Sequence, residues 1–351
     1  MNSTELAKIA KVSRSTVSRV LNNYPGVSPK MRERVEAAIR EQNYVPDAAA
    51  RKLAGKTNHI IGLFIIDTVD TYGENDICTT PFYNDYIALA INIANSRGYD
   101  LLIRVVRHQS ADEVERLFQS GSISGGIIMG DCLNPSIIDR LILDGHKVVL
   151  YHQIPQSCSK NIITVNYNNF KCGKIAAEEF LRKGHRDLAM ITGEKNKLCA
   201  MDRLDGFESA LRTAQVQLDR ERCVEYGEFH RQSGGYEAAR KLLKRNRNHL
   251  PTGICAGSGT MMMGAMQAIL DMGYRIPEDI SLIGIDGIEI AKYTTPALTE
   301  VVISRRKVAL TTVVRLIELI EGSQSEQLDF EVSEAELVQR DSVKDLSTIP
   351  F

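Results

Sequence analysis

Several residues near the N-terminus have the types and spacing to read a nucleic acid. Arg14, Ser15, Ser18, Arg19 and Asn22 recur among the apolar Val17, Val20 and Leu21, so they share the polar face of one short helix. An arginine fork donates two hydrogen bonds to guanine O6 and N7 in a major groove, which suits Arg14 at the start of the helix, with Ser15 beside it and Arg19 further along. Ser13, Ser18 and Asn22 suit phosphate contacts, which position a protein without specifying sequence. Elsewhere the sequence holds no P-loop, no G-x-S-x-G elbow and no complete dinucleotide fingerprint; the stretch from Gly257 lacks its third glycine. Seven scattered cysteines, none in a C-x-x-C pair, point to neither a disulfide framework nor a zinc site. The expectation is no catalytic residue, no metal and no cofactor.

These residues need elements to hold them. Residues 2–11 read as a helix with a capping-box spacing from Asn2 to Glu5. Ser13 caps a second helix, and Ser28-Pro29 opens a third that runs to residue 42. Two short helices joined by a three-residue turn and braced by a third describe a helix-turn-helix module. The charge balance agrees. The chain of 351 residues has a formal net charge of −1, yet its first 56 residues hold 11 Lys/Arg against 5 Asp/Glu, and the rest hold 32 against 39. A basic head is joined to an acidic body, as expected of a polyanion-binding module attached to something else.

From residue 60 the pattern alternates. The near-continuous apolar run at 60–66 reads as a strand buried on both faces. Helical periodicity follows at 85–97, and 101–106, 126–129 and 147–151 are further strand candidates with helices between at 111–119 and 135–143. The pattern restarts after a Pro/Ser-containing link at 155–160. Strands follow at 162–165, 188–192, 223–227, 253–256 and 281–285, with helices near 170–183, 204–214, 234–245 and 260–272. Such alternation implies two doubly wound parallel-sheet units, which bind ligands near the carboxyl ends of their strands. No apolar run is long enough to span a bilayer and no secretory leader is visible, so the expected location is the cytoplasm.

Lys11-Val12-Ser13-Arg14-Ser15-Thr16-Val17-Ser18-Arg19-Val20-Leu21-Asn22 resembles the signature of the lactose-repressor/galactose-repressor family of bacterial transcription regulators. Asn43-Tyr44-Val45-Pro46-Asp47-Ala48-Ala49-Ala50-Arg51-Lys52-Leu53-Ala54-Gly55 resembles the family's hinge. Later marks follow in order: Lys183-Gly184-His185-Arg186, Arg203-Leu204-Asp205-Gly206-Phe207, Gly284-Ile285-Asp286 with Pro296-Ala297-Leu298-Thr299, and Leu337-Val338-Gln339-Arg340-Asp341-Ser342. The resemblance implies an all-α helix-turn-helix head on an α/β body similar to periplasmic binding proteins. It divides the chain into a DNA-binding domain at 1–45, a hinge at 46–58 and an effector-binding and dimerisation domain at 59–351. The first subdomain of that body would comprise about 59–161 plus 290–320, and the second 162–289 plus 321–351.

The resemblance further implies a homodimeric repressor that binds a pseudo-palindromic double-stranded operator under control of a small effector, a sugar by analogy. DNA contacts would come from Ser13, Arg14, Ser15, Thr16, Ser18, Arg19, Asn22, Tyr44, Ala50 and Leu53. Leu53 either wedges a central base step open or packs between paired hinge helices. Effector contacts would come from Phe82, Tyr83, His152, Arg203, Ser258 and Asp286. Arg203 and Asp286 either bind ligand hydroxyls or form an ion pair at the cleft rim. Phe82 and Tyr83 either stack on the ligand or are core aromatics at a helix start. The chain departs from the family at Ser258-Gly259, where Asn-Asp is usual, and at His152, where Asp is common. Two other readings are a sugar-binding protein with a vestigial head and a regulator whose corepressor is a protein.

Overall fold

The computed structural model describes residues 3–21, 24–42, 58–67, 81–107, 112–130, 135–153, 155, 159–195, 197–229, 231–323, 326–332 and 334–347. Asn22, Tyr44, Ala50, Leu53 and the expected hinge helix lie outside them. The chain forms two compact units, Met1–His59 and Ile60–Phe351.

The first unit holds α1 (Ser3–Ile9), α2 (Arg14–Leu21) and α3 (Pro29–Glu41). Leu6, Ala7, Ala10, Val17, Val20, Val35 and Ala38 form its core. Ser13 closes the N-terminus of α2: its hydroxyl accepts the Thr16 N–H at 3.1 Å. Lys11, in the turn before it, takes a left-handed φ of 50°. The Arg34 guanidinium braces that turn from α3 by donating to the Lys11 carbonyl at 3.3 Å. Ser28 sits at the N-cap of α3 without a side-chain cap bond, and Pro29 starts the helix. Ile9 on α1 and Met31 on α3 are 44% and 46% exposed. A seven-residue core fills before it reaches them.

The second unit contains two six-stranded sheets. The first has the order β11-β5-β4-β3-β1-β2 and is parallel throughout: β1 (Ile60–Asp67), β2 (Asp100–Arg107), β3 (Gly125–Gly130), β4 (Val148–Tyr151), β5 (Ile162–Tyr167) and β11 (Asp329–Val332). The second has the order β12-β10-β9-β8-β6-β7: β6 (Leu188–Thr192), β7 (Val224–Tyr226), β8 (Gly253–Ala256), β9 (Ser281–Asp286), β10 (Thr299–Ile303) and β12 (Ala335–Val338), the last antiparallel to β10.

Helices follow the strands as the alternation requires. They are α4 (Pro81–Ser96), α5 (Asp112–Gln119), α6 (Pro135–Leu143), α7 (Asn169–Arg182), α8 (Leu198–Thr213), the short α9 (Arg220–Cys223), α10 (Gln232–Arg245), α11 (Gly259–Asp271) and α12 (Arg305–Glu321). α12 returns to the first half, where Leu316 and Ile320 close over Gly125 and Thr312 bonds the buried Tyr86 hydroxyl at 2.6 Å.

Three strands, β5, β10 and β11, fall in the sheet opposite to the expected one; β11, from the segment 321–351 expected in the second subdomain, pairs with β5 in the first sheet. Strand 162–165 was expected in the second subdomain, yet β5 pairs with β4 in the first sheet. The segment 290–320 was expected in the first, yet β10 pairs with β9 in the second. The physical reason lies in the crossings. The chain leaves the first sheet only after Tyr167 and returns only at α12. The polar link at 155–160 connects two adjacent strands of one sheet.

Candidate functional sites

The head presents one polar surface. On α2, Val17 and Val20 face inward while Arg14, Ser15, Ser18 and Arg19 are exposed, and Thr16 is half-buried. The Ser13 hydroxyl lies 2.7 Å from that of Ser15 and 2.8 Å from that of Thr16, so three hydroxyls cluster at the N-terminal end of the helix. That end carries partial positive charge, and Arg14 stands beside it. The arrangement suits a helix laid in a major groove with its first turn at the bases and phosphates.

The body carries a cleft of about 550 Å³ of empty space, mouth included. Its lining comes from the carboxyl ends of strands and the segments that follow them, at the reversal points of both sheets. From the first half come Phe82 and Tyr83 at the start of α4, Met129 and Gly130 ending β3, Tyr151 ending β4 with His152 after it, and Tyr167 ending β5. From the second come Cys199, Phe229, Ser258, Thr260, Asp286 and Ile288. The chemistry is aromatic walls around a small polar floor.

Asp286 is the centre of that floor. It is 7% exposed and sits at a φ of 108°, outside the usual range for a side-chain-bearing residue. Three contacts hold it there. Arg203 donates from Nη2 to Oδ1 at 2.8 Å, and the Gly259 N–H at the start of α11 donates to Oδ2 at 3.2 Å. Arg305 donates to the Asp286 carbonyl at 3.0 Å and to the Gly287 carbonyl at 2.5 Å.

Arg203 does not line the cleft. It is 0% exposed, and its guanidinium is engaged by protein. Nε donates to Asn169 Oδ1 at 2.9 Å, Nη1 to the Gly257 carbonyl, and Nη2 to the Tyr167 hydroxyl at 2.6 Å as well as to Asp286. Burial works against its charge, and Asp286 more than restores it, so the group stays a cation.

Ser258 lines the cleft as the N-cap of α11, accepting the Met261 N–H at 3.2 Å and donating to the Phe229 carbonyl at 2.7 Å. His152 adopts a left-handed φ of 59°, and its ring packs 4.5 Å from Tyr151 and 4.3 Å from Tyr167. Phe82 is stacked parallel to Tyr151 at 6.2 Å and meets Tyr83 edge-on at 5.7 Å. Tyr151 and Tyr167 were not anticipated. Burial holds both phenols well above their ordinary range, so each remains protonated. The Tyr151 hydroxyl is buried with no hydrogen-bond partner among the described residues. The available signal was position, because Tyr151 ends one predicted strand, Tyr167 lies two residues past the end of another, and strand ends build such clefts.

Comparison with known proteins agrees with this arrangement. Residues 4–47 match the model for bacterial regulatory proteins of the lacI family, and residues 177–343 match the periplasmic binding protein-like domain. The Bacillus subtilis protein named "Probable HTH-type transcriptional repressor ExuR" is 31% identical over 345 residues, 98% of each chain. The chain belongs to the LacI family.

Another similar LacI-family protein is the HTH-type transcriptional repressor PurR of Vibrio cholerae, 29% identical over 349 residues and 98% of each chain. Among solved structures, the lac repressor bound to ONPG in its repressed state matches with a TM-score of 0.80 at 25% identity, over 98% of this chain and 99% of that one. The complex of the transcriptional regulator CelR with cellobiose matches in fold, with a TM-score of 0.73 at 24% identity, over 97% of this chain and 99% of that one. The LacI-family chain is a DNA-binding transcriptional repressor with a periplasmic-binding-protein-like body. Among the described residues no helix is long and apolar enough to cross a membrane, and no cluster of His, Cys, Asp or Glu could hold a metal ion.

Proposed function

We propose that this repressor acts in the cytoplasm as a homodimer on a pseudo-palindromic operator, and that a small carbohydrate in the body cleft changes its operator affinity. On this reading the domains are the head at 1–45, the hinge at 46–58 and the body from 59, and the protein performs no catalysis. Arg14 reads bases, Ser13, Ser15, Thr16, Ser18, Arg19 and Asn22 complete the major-groove contacts, and Tyr44, Ala50 and Leu53 contact the minor groove.

The observation that carries the effector reading is the lining of the cleft. Phe82, Tyr151 and Phe229 offer ring faces to the apolar face of a sugar, while Asp286 accepts from its hydroxyls. The Tyr151 hydroxyl needs a partner, since a buried donor left dry costs about 1–3 kcal/mol. Arg203 acts indirectly, by holding Asp286 and Tyr167 in place, and Ser258 contributes an acceptor. Control follows from linkage. A ligand that favours one arrangement of the two halves shifts the protein toward the operator affinity of that arrangement, by an equal factor in either direction.

Fluorescence anisotropy on candidate operators from the gene's own neighbourhood tests this. Binding of one pseudo-palindrome is expected, with affinity falling by a factor of about 10³ or more between roughly 50 and 200 mM salt. Absence of sequence-dependent binding at ~50 mM salt would sink the proposal.

A further inference from the structure

We infer that the cleft selects uncharged ligands and excludes anions, because the Arg203 guanidinium and the Gly259 and Met261 N–H groups of α11 are already occupied by Asp286 and its neighbours. The inference rests on the reading of the cleft as the effector site and goes beyond it to charge.

Two features of such a cleft ordinarily hold a phosphate or carboxylate: a guanidinium fork and a helix N-terminus. Both are present: every nitrogen of the fork, and the Gly259 and Met261 N–H groups at the helix start, are engaged within the protein. Every nitrogen of Arg203 has a protein acceptor, and none of the side chain is exposed. The Tyr167 ring, itself part of the lining, lies 5.6 Å from the guanidinium. At the start of α11, the Gly259 N–H is bonded to Asp286 and the Met261 N–H to Ser258. Asp286 is thus an internal anion seated between the fork and the helix end.

The rest of the lining offers no replacement. Among the thirteen described residues of the lining, Asp286 is the only Asp, Glu, Lys or Arg. The body segments outside the described residues contain neither Lys nor Arg. Arg305, the nearest additional cation in the network, is held by the carbonyls of Asp286 and Gly287 and by the Asp85 carboxylate at 3.1 Å. His152 could supply a positive charge only by protonation. An anion entering would therefore lose its water, gain no cation and meet a carboxylate. An uncharged ring with hydroxyls meets acceptors at Asp286, protonated phenols at Tyr151 and Tyr167, and aromatic faces.

The test uses the full-length protein at about pH 8, where an imidazole is neutral. It is dialysed to equilibrium against the small-molecule fraction of an extract from cells that carry the gene, and retained compounds are identified by mass spectrometry. The control is Thr260→Trp, which fills the cleft, with Cys199→Trp as a second filling variant should the first unfold. Compounds retained by the wild type and lost in the filled variant are expected to be uncharged, enriched tenfold or more. A retained carboxylate or phosphate that the filled variant loses would overturn the charge selectivity; if that compound were a sugar acid, the carbohydrate reading would stand alone. An uncharged non-sugar would support the selectivity and remove the carbohydrate reading. Equal retention by wild type and filled variants would overturn both.

Discussion

Arg203 and Asp286 are 83 residues apart in sequence and 2.8 Å apart in the fold, and the pair shows how one residue's role depends on its surroundings. Both types were expected at the ligand, and only the carboxylate reaches the cleft surface. A second carboxylate supports the same turn. Glu300 on β10 is 0% exposed. It accepts the Ile288 N–H at 3.0 Å and an Arg340 N–H at 3.2 Å, so it anchors the segment that follows Asp286. Burial pushes its carboxyl from the ordinary 4.5 up to about 7, against the opposing pull of those bonds. The folded protein therefore binds a proton that the unfolded chain releases across this interval, and Glu300 makes stability fall as pH rises from about 4.5 to about 7. Between pH 5 and pH 7 the loss is about 2 kcal/mol. Glu300→Gln cannot titrate, so urea unfolding of this variant should show a pH dependence smaller by that amount. Equal slopes in the two proteins would remove Glu300 as the cause.

Among the elements, two helix pairs are joined through glycine. A Cβ at Gly173 on α7 would lie 1.8 Å from the Arg203 carbonyl oxygen on α8, and one at Gly206 on α8 would lie 1.9 Å from the Phe170 carbonyl oxygen on α7. Gly235 and Gly264 make the corresponding approaches between α10 and α11. Backbone meets backbone at these points, so no side chain can move aside. The α7–α8 contact also sets the position of Arg203, whose carbonyl is part of it. Gly206→Ala should lower unfolding free energy by about 2–3 kcal/mol or more, read as a reduced urea midpoint. A loss below about 0.5 kcal/mol would show that the two helices can separate freely. The glycines were visible in the sequence as residues, and Gly206 as part of a motif. Their packing role was not, because helical periodicity registers apolar faces and a glycine adds nothing to one.

At the scale of the molecule, the two compact units divide at His59–Ile60, and each has its own core. The acidic body should fold without the basic head. A chain of residues 60–351 is expected to melt cooperatively within about 3 °C of the full-length protein and to retain the cleft's ligands, while losing operator binding altogether. A body that unfolds at much lower temperature once shortened would show that the units depend on one another.

The sequence by itself determined the features that depend on short-range spacing. The head helices follow from 3.6-residue periodicity and caps. The strands follow from apolar runs, and nine of them were read to within about two residues at each end. The basic head and acidic body follow from counting charges. What only the tertiary structure decided was which strands share a sheet and which side chains share a cleft. β5 and β10 each carry a strand pattern that either sheet could accept, and their assignment depends on where the chain crosses. Arg203 is enclosed by acceptors 34, 36, 54 and 83 residues away. Whether a guanidinium faces a ligand or its own protein is settled by those distant groups, and no local pattern encodes them.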